Sequence, residues 1–227
     1  MIWDPTIILL IPALILAGWA QFKVQSTFAR YSQVPSSRQI TGAEMAATLL
    51  RRGGLHSVRI ERVPGNLTDH YDPRSKVLRL SDSVYGSNSV AALGVAAHEV
   101  GHALQHETNY LPLGIRNAIV PVASFASSAS FPLILIGLLF GLPDLATLGV
   151  LIFTAVVAFQ LITLPVEFNA SSRAVALLQS GGHITSQEVP MVKKVLGAAA
   201  LTYVAAALVS FLNLVRFLLI LGVFHDE

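Results

Sequence analysis

Residues 145–166 read LATLGVLIFTAVVAFQLITLPV, twenty-two consecutive positions without a charged side chain. A helix of that length rises about 33 Å at 1.5 Å per residue. That is enough to cross a hydrocarbon core of about 30 Å. Three further apolar runs flank it: residues 6–22 (TIILLIPALILAGWAQF), 117–142 (NAIVPVASFASSASFPLILIGLLFGL) and about 197–222 (GAAALTYVAAALVSFLNLVRFLLILG). Pro143-Asp144 makes a turn between the second and third. About four transmembrane helices are therefore expected. The first is expected to be retained, because Asp4 and the lack of Lys or Arg before it do not fit a signal peptide. The small residues of the second run suit close helix packing in lipid.

Composition agrees with this reading. The chain of 227 residues is 53% hydrophobic and 12% charged, against about 25% charged in ordinary soluble domains. It has no cysteine, which excludes disulfides, thiolate zinc ligands and cysteine nucleophiles. The lipid bilayer is an expected partner, and with a net charge of only +2 a nucleic acid is not.

The distribution of Lys and Arg sets the orientation. Eleven of the fifteen lie between the first and second runs, and three (Arg173, Lys193, Lys194) lie between the third and fourth. Positive residues stay in the cytoplasm. Both large loops are therefore expected inside and both termini outside, with Lys23, Arg116, Lys193 and Lys194 nearest the spans.

The first loop reads as a small domain. Residues 41–52 (TGAEMAATLLRR) form a helix that Thr41 and Glu44 cap reciprocally and Gly53-Gly54 ends. Residues 56–63 and 76–81 alternate as strands, and the stretch between, PGNLTDHYDP, is turn-rich. Ser87, Asn88 or Ser89 caps a last helix that runs to about residue 108. The expected divisions are 1–22, 23–116, 117–166, 167–196 and 197–227.

That last helix carries AAHEVGHALQH, residues 96–106. His98-Glu99-Val100-Gly101-His102 is an H-E-x-x-H pattern. Positions i and i+4 share a helix face, so both imidazoles reach one ion at the roughly 2.0–2.1 Å that zinc requires. Glu99 beside them is placed to take a proton from water that the ion activates. His106 lies about 12 Å along the axis from His98, too far for the same ion, and is assigned to packing or to support behind the ligands. A catalytic zinc needs a third protein ligand. Glu167, directly after the run quoted first, is the acidic residue at the membrane edge, where a carboxylate is costly unless paired or metal-bound. It falls on the same side as His98 and His102. Pro165 is expected to kink the helix before it, and Gly181-Gly182 to stop it.

These segments together (the N-terminal span, LTDHYDP, LRLS, AAHEVGHALQH and LPVEFNASSRA) resemble the neutral zinc metallopeptidases of bacterial membranes, the YugP-like family. The likeness covers nearly the whole chain. More distantly the chain is similar to HtpX-type and prenyl-protein membrane proteases. The resemblance implies a mainly α, polytopic membrane protein with a small zincin-like α+β cytoplasmic domain. It implies a gluzincin-like zinc peptidase, with His98, His102 and Glu167 as ligands, zinc as cofactor and Glu99 as general base. Ser171 stands where the distant relatives carry an aspartate that supports the motif helix, with Asn169 as its candidate replacement.

Peptide hydrolysis also needs a donor for the developing oxyanion. His70 and His183 are candidates, with Tyr71, Tyr110 and Arg173 beside them. The strand at 76–81 is a candidate for pairing with an extended substrate. The expected activity is a membrane zinc endopeptidase working at the cytoplasmic face on a peptide or membrane-protein substrate. The alternative from another class is a non-proteolytic zinc-binding scaffold or chaperone, which would have no use for Glu99.

Overall fold

A computed structural model describes residues 5–222. The expectation for the two termini concerns residues outside that range. A 3-10 turn, Pro5–Leu10, leads into α1 (Ile11–Ser32). The loop domain follows as α2 (Gly42–Arg52), β1 (Arg59–Val63), β2 (His70–Asp72), β3 (Val77–Ser81), α3 (Asp82–Tyr85) and α4 (Val90–Glu107). Three long helices complete the chain: α5 (Leu111–Leu139), α6 (Pro143–Ser180) and α7 (Val189–Ile220). The stretch Pro5–Ser32 and helices α5, α6 and α7 are each long and apolar enough to cross a membrane. The protein is a mainly α, polytopic membrane protein with a small sheet.

The caps are where local chemistry puts them. Thr41 Oγ1 accepts from the Glu44 amide, and the Glu44 carboxylate accepts from the Thr41 amide at 2.7 Å. Ser89 Oγ accepts from Ala92 N at the start of α4. Helix α6 runs unbroken through Pro165 to Ser180. Its 38 residues span about 57 Å, so roughly half of it stands beyond a 30 Å hydrocarbon layer. Gly182 then turns the chain with φ +61°, a conformation that glycine adopts without strain.

The sheet has three strands in the order β1-β3-β2, with β1 parallel and β2 antiparallel to β3. The turn-rich stretch thus contains a short strand that local sequence does not announce. Asp69 anchors it, accepting from Ser81 N and Ser81 Oγ, both at 2.8 Å. Strand β3 is central, with both edges occupied, so the expectation that residues 76–81 pair with a substrate is corrected. The free edge nearest α4 belongs to β2. The alternation expected of β3 is replaced by burial on both faces: Val77, Leu78 and Leu80 are fully buried.

Helix α4 is the hub. Val90, Ala91, Ala92, Leu93, Ala96, Ala97 and Val100 are all fully buried. A helix apolar all round is one that is surrounded. It packs against α2, α6, α7 and α1. Small residues allow the approach: a Cβ on Gly94 would stand 3.2 Å from Val192, and one on Gly101 would stand 2.7 Å from the carbonyl oxygen of Ala170. Small residues play the same part between α5 and α6, where Gly137 abuts Ala146 and Gly149 abuts Ile134 and Ser130.

The α6–α7 loop clamps the segment after α1. Glu188 accepts from Ser37 N at 2.7 Å, Ser37 Oγ at 2.9 Å and Thr185 N at 2.6 Å. Arg38 Nε donates to Gly182 O, and Arg52 donates to Gly181 O. The amphipathic loop domain is thus tied to the membrane helices by polar bonds at one end and by the α4 core at the other.

Candidate metal centre

The helical rise brings His98 and His102 one turn apart on α4, and α6 brings Glu167 against them. His98 Nε2 and His102 Nε2 lie 3.1 Å apart. Glu167 Oε2 lies 3.3 Å from the first and 3.5 Å from the second. Among the described residues, this is the group of His, Asp and Glu side chains whose ligand atoms come within metal-binding reach of one another. A tetrahedral ion with ligands at about 2.0–2.1 Å has edges of about 3.3–3.4 Å. The three observed separations bracket that value, so these residues fit zinc. Glu167 is 3% exposed; a carboxylate so deeply placed requires a positive partner. Arg116 of α5 stands 3.9 Å from its other oxygen.

Each imidazole is held from behind. His98 Nδ1 meets Ser171 Oγ at 3.1 Å, so Ser171 contacts the motif helix from the position where the distant relatives carry aspartate. His102 Nδ1 meets Gln105 Oε1 at 3.0 Å. Such backing orients a metal-binding ring. Asn169 touches neither histidine ring by hydrogen bond; its Oδ1 accepts from Gln105 and Arg173.

Two cavities of about 250 and 260 Å³ meet at the cluster and share Asp69, His98, Glu99, Glu167 and Tyr203 in their walls. The first opens between α1 and α7, past Gln21, Val24, Leu196, Ala199 and Ala200. The second opens between β2 and α5, past His70, Tyr71, Arg116 and Asn117. Glu99 is buried where the two join. Burial pushes its carboxyl above the usual range, against the pull of His102 and His98. Burial likewise raises Asp69, against its bonds from Ser81.

The remaining sequence candidates disperse. His70 sits exposed on β2, its Nδ1 on Thr68 O, and reaches the second cavity. His183 lines neither cavity. It packs beside Gly181, between Arg38 and Arg52, whose charges together with burial lower its pKa. Tyr71 bonds His106 Nδ1 at 3.0 Å, which ties β2 to the end of α4 and gives His106 its packing role. Tyr110 lies under the Arg173 guanidinium. Residues that the sequence reading passed over include Tyr203, Gln105, Asp69 and Arg116. Two of them carried a signal. Tyr203 is a phenol in an apolar span, where a polar tip needs a partner. Gln105 follows His102 by three positions, on the same helix face.

Compared with known proteins, the chain matches the family model described as "Putative neutral zinc metallopeptidase" over residues 6–222. It is 54% identical over 221 residues to the Bacillus subtilis (strain 168) protein named "Putative membrane protease YugP", covering 97% of this chain and 98% of that one. No solved structure matches. With a buried His-His-Glu cluster that fits zinc and a match over residues 6–222, the chain belongs to the family described as "Putative neutral zinc metallopeptidase".

Proposed function

We propose that the protein is a membrane zinc endopeptidase of the H-E-x-x-H plus Glu type, working at the cytoplasmic face. The observation that carries this is the approach of His98, His102 and Glu167 with Glu99 buried beside them. Zinc held by these three would keep one position open and supply Lewis acidity toward water and a peptide carbonyl. Glu99 is the base: its oxygen takes the proton from the attacking water and returns it to the departing amide nitrogen. Burial favours its protonated form, which suits a group that must hold the proton between the two transfers. Tyr203 and Arg116 face the same space as donors for the developing negative oxygen.

The two cavities support an endopeptidase, because chain can extend from the cluster in both directions. The first is walled by the ends of two membrane helices, so we place there the apolar side chains of a membrane-bound polypeptide just outside its span. The second cavity, lined by more polar side chains, takes the residues on the other side of the cut bond. Lys23, Arg116, Lys193 and Lys194 support the cytoplasmic assignment, since they lie toward the loop-side ends of α1, α5 and α7.

The test pairs two variants with elemental analysis and hydrolysis of a membrane-tethered reporter. Wild type is expected to hold one zinc per chain. Glu99→Gln is expected to keep the zinc and lose activity by about 10²–10⁴-fold, and Glu167→Ala to lose both. Activity in Glu99→Gln equal to wild type ends the peptidase reading.

A further inference from the structure

The support behind His102 is directional, and its direction can be read off. Arg173 can only donate. Its Nε gives a hydrogen bond to Asn169 Oδ1 at 2.8 Å, which fixes the oxygen of that amide toward α4. Gln105 Nε2 lies 3.0 Å from the same oxygen and 2.8 Å from the carbonyl of Val166. Two acceptors on one side fix the Gln105 amide as well, since the flipped amide would set oxygen against oxygen twice. Gln105 Oε1 must then face His102 Nδ1, at 3.0 Å. An amide oxygen only accepts, so Nδ1 carries the ring proton. The lone pair of the neutral ring is left on Nε2, the nitrogen that faces His98 and Glu167.

We infer that Arg173, Asn169 and Gln105 form a relay of positioning residues that holds His102 in its metal-binding tautomer. The inference rests on the zinc reading above. Gln105 is fully buried, so water does not compete for these bonds. Helix α6 thereby supplies one ligand, Glu167, and the group that prepares another on α4. Asn169 comes two positions after Glu167, about 200° round the helix, and one helical turn before Arg173, so the ligand and the relay leave α6 from different sides. His98 has no such setting. Its partner, Ser171 Oγ, can donate or accept, so the contact orients the ring without fixing its tautomer.

The experiment measures zinc affinity by chelator competition on the full chain in detergent, beside thermal denaturation. Gln105→Leu and Asn169→Leu remove a link; Asn169→Asp keeps the acceptor for Arg173 and Gln105. The leucine variants are expected to weaken zinc by about 10–100-fold, and Asn169→Asp to stay close to wild type. Equal losses in Asn169→Leu and Asn169→Asp, with equally lowered melting, would make the residue merely structural and overturn the relay. Wild-type affinity in Gln105→Leu would overturn it as well. If wild type binds no zinc, the zinc reading falls, and the relay is judged by nitrogen NMR of the histidine rings. A proton on His102 Nδ1 in wild type, lost to a tautomer mixture in Gln105→Leu, upholds it; a mixture in wild type overturns it.

Discussion

Gly101 sits inside the metal motif, where α4 passes α6 at its closest. A Cβ there would stand 2.7 Å from the Ala170 carbonyl oxygen and 3.3 Å from two more backbone atoms of the same residue. Nothing flexible is in the way, so in Gly101→Ala the helices themselves must part. Real contacts of this kind essentially never fall below 3.0 Å, and a relaxed one needs slightly more, so the separation grows by about 0.3–0.6 Å. His98 and His102 ride on α4, and Glu167 rides on α6 one turn before Ala170. Their 3.3 and 3.5 Å separations then open toward about 3.6–4.1 Å, past the roughly 3.4 Å edge of a zinc tetrahedron. Metal constellations tolerate about 0.5 Å of such error. Zinc affinity is expected to fall by about 10–100-fold, and overpacking to cost about 1–3 kcal/mol of stability. Ala170→Gly should not rescue it, because the obstructing atoms are main chain. Chelator competition and thermal melting on purified protein decide the matter. A Gly101→Ala variant with wild-type affinity and wild-type melting would refute the close approach of α4 and α6.

Other expectations follow from the same coordinates. Tyr203→Phe should keep its zinc while hydrolysis of a fluorogenic peptide falls by about 10²-fold; unchanged turnover would remove Tyr203 from the chemistry. Glu188→Ala should lower stability by about 2–3 kcal/mol, since three donors lose their acceptor. Burial opposes ionisation of Glu188, but its bonds from Thr185 and Ser37 outweigh this and lower its pKa. A lowered folded value means the contribution is full above the ordinary value of about 4.3 and disappears as pH falls through the lower one. The melting difference between wild type and Glu188→Ala should therefore narrow only in acid; a gap independent of pH would contradict the ionic role. The absence of cysteine makes orientation directly measurable. Asn66→Cys in intact cells should resist an impermeant maleimide, and Asp144→Cys should react; the reverse pattern would invert the topology.

Much of this was legible because membrane crossing, helix capping and the H-E-x-x-H spacing are local properties. The uncharged run at 145–166, the Thr41–Glu44 box and the His98–His102 pair each need only their neighbours in sequence. Strand β2 was not legible: His70-Tyr71-Asp72 has weak strand character, and pairing with β3 plus the Asp69–Ser81 bonds imposes its shape. The central place of β3 is likewise a property of the sheet, not of Val77–Ser81 alone. Tyr203 joins the site from a helix far along the chain, and Arg116, though near α4 in sequence, reaches Glu167 through the packing of α5 on α6. His183 stands out in the sequence as a titratable group on the loop side of the spans, but the turn at Gly181-Gly182 folds it back beside Arg38 and Arg52.

The three proposed ligands are divided between two helices, and that division has a meaning in time. Sixty-four residues separate His102 from Glu167, so at about 5–20 residues per second a ribosome needs roughly 3–13 s to pass from one to the other. Throughout that interval the emerging loop owns two imidazoles and no carboxylate partner. The proposed metal centre is complete only when α6 has been made and packs on α4. A half-made chain therefore holds at most two of the three proposed ligands, and synthesis of α6 supplies the last.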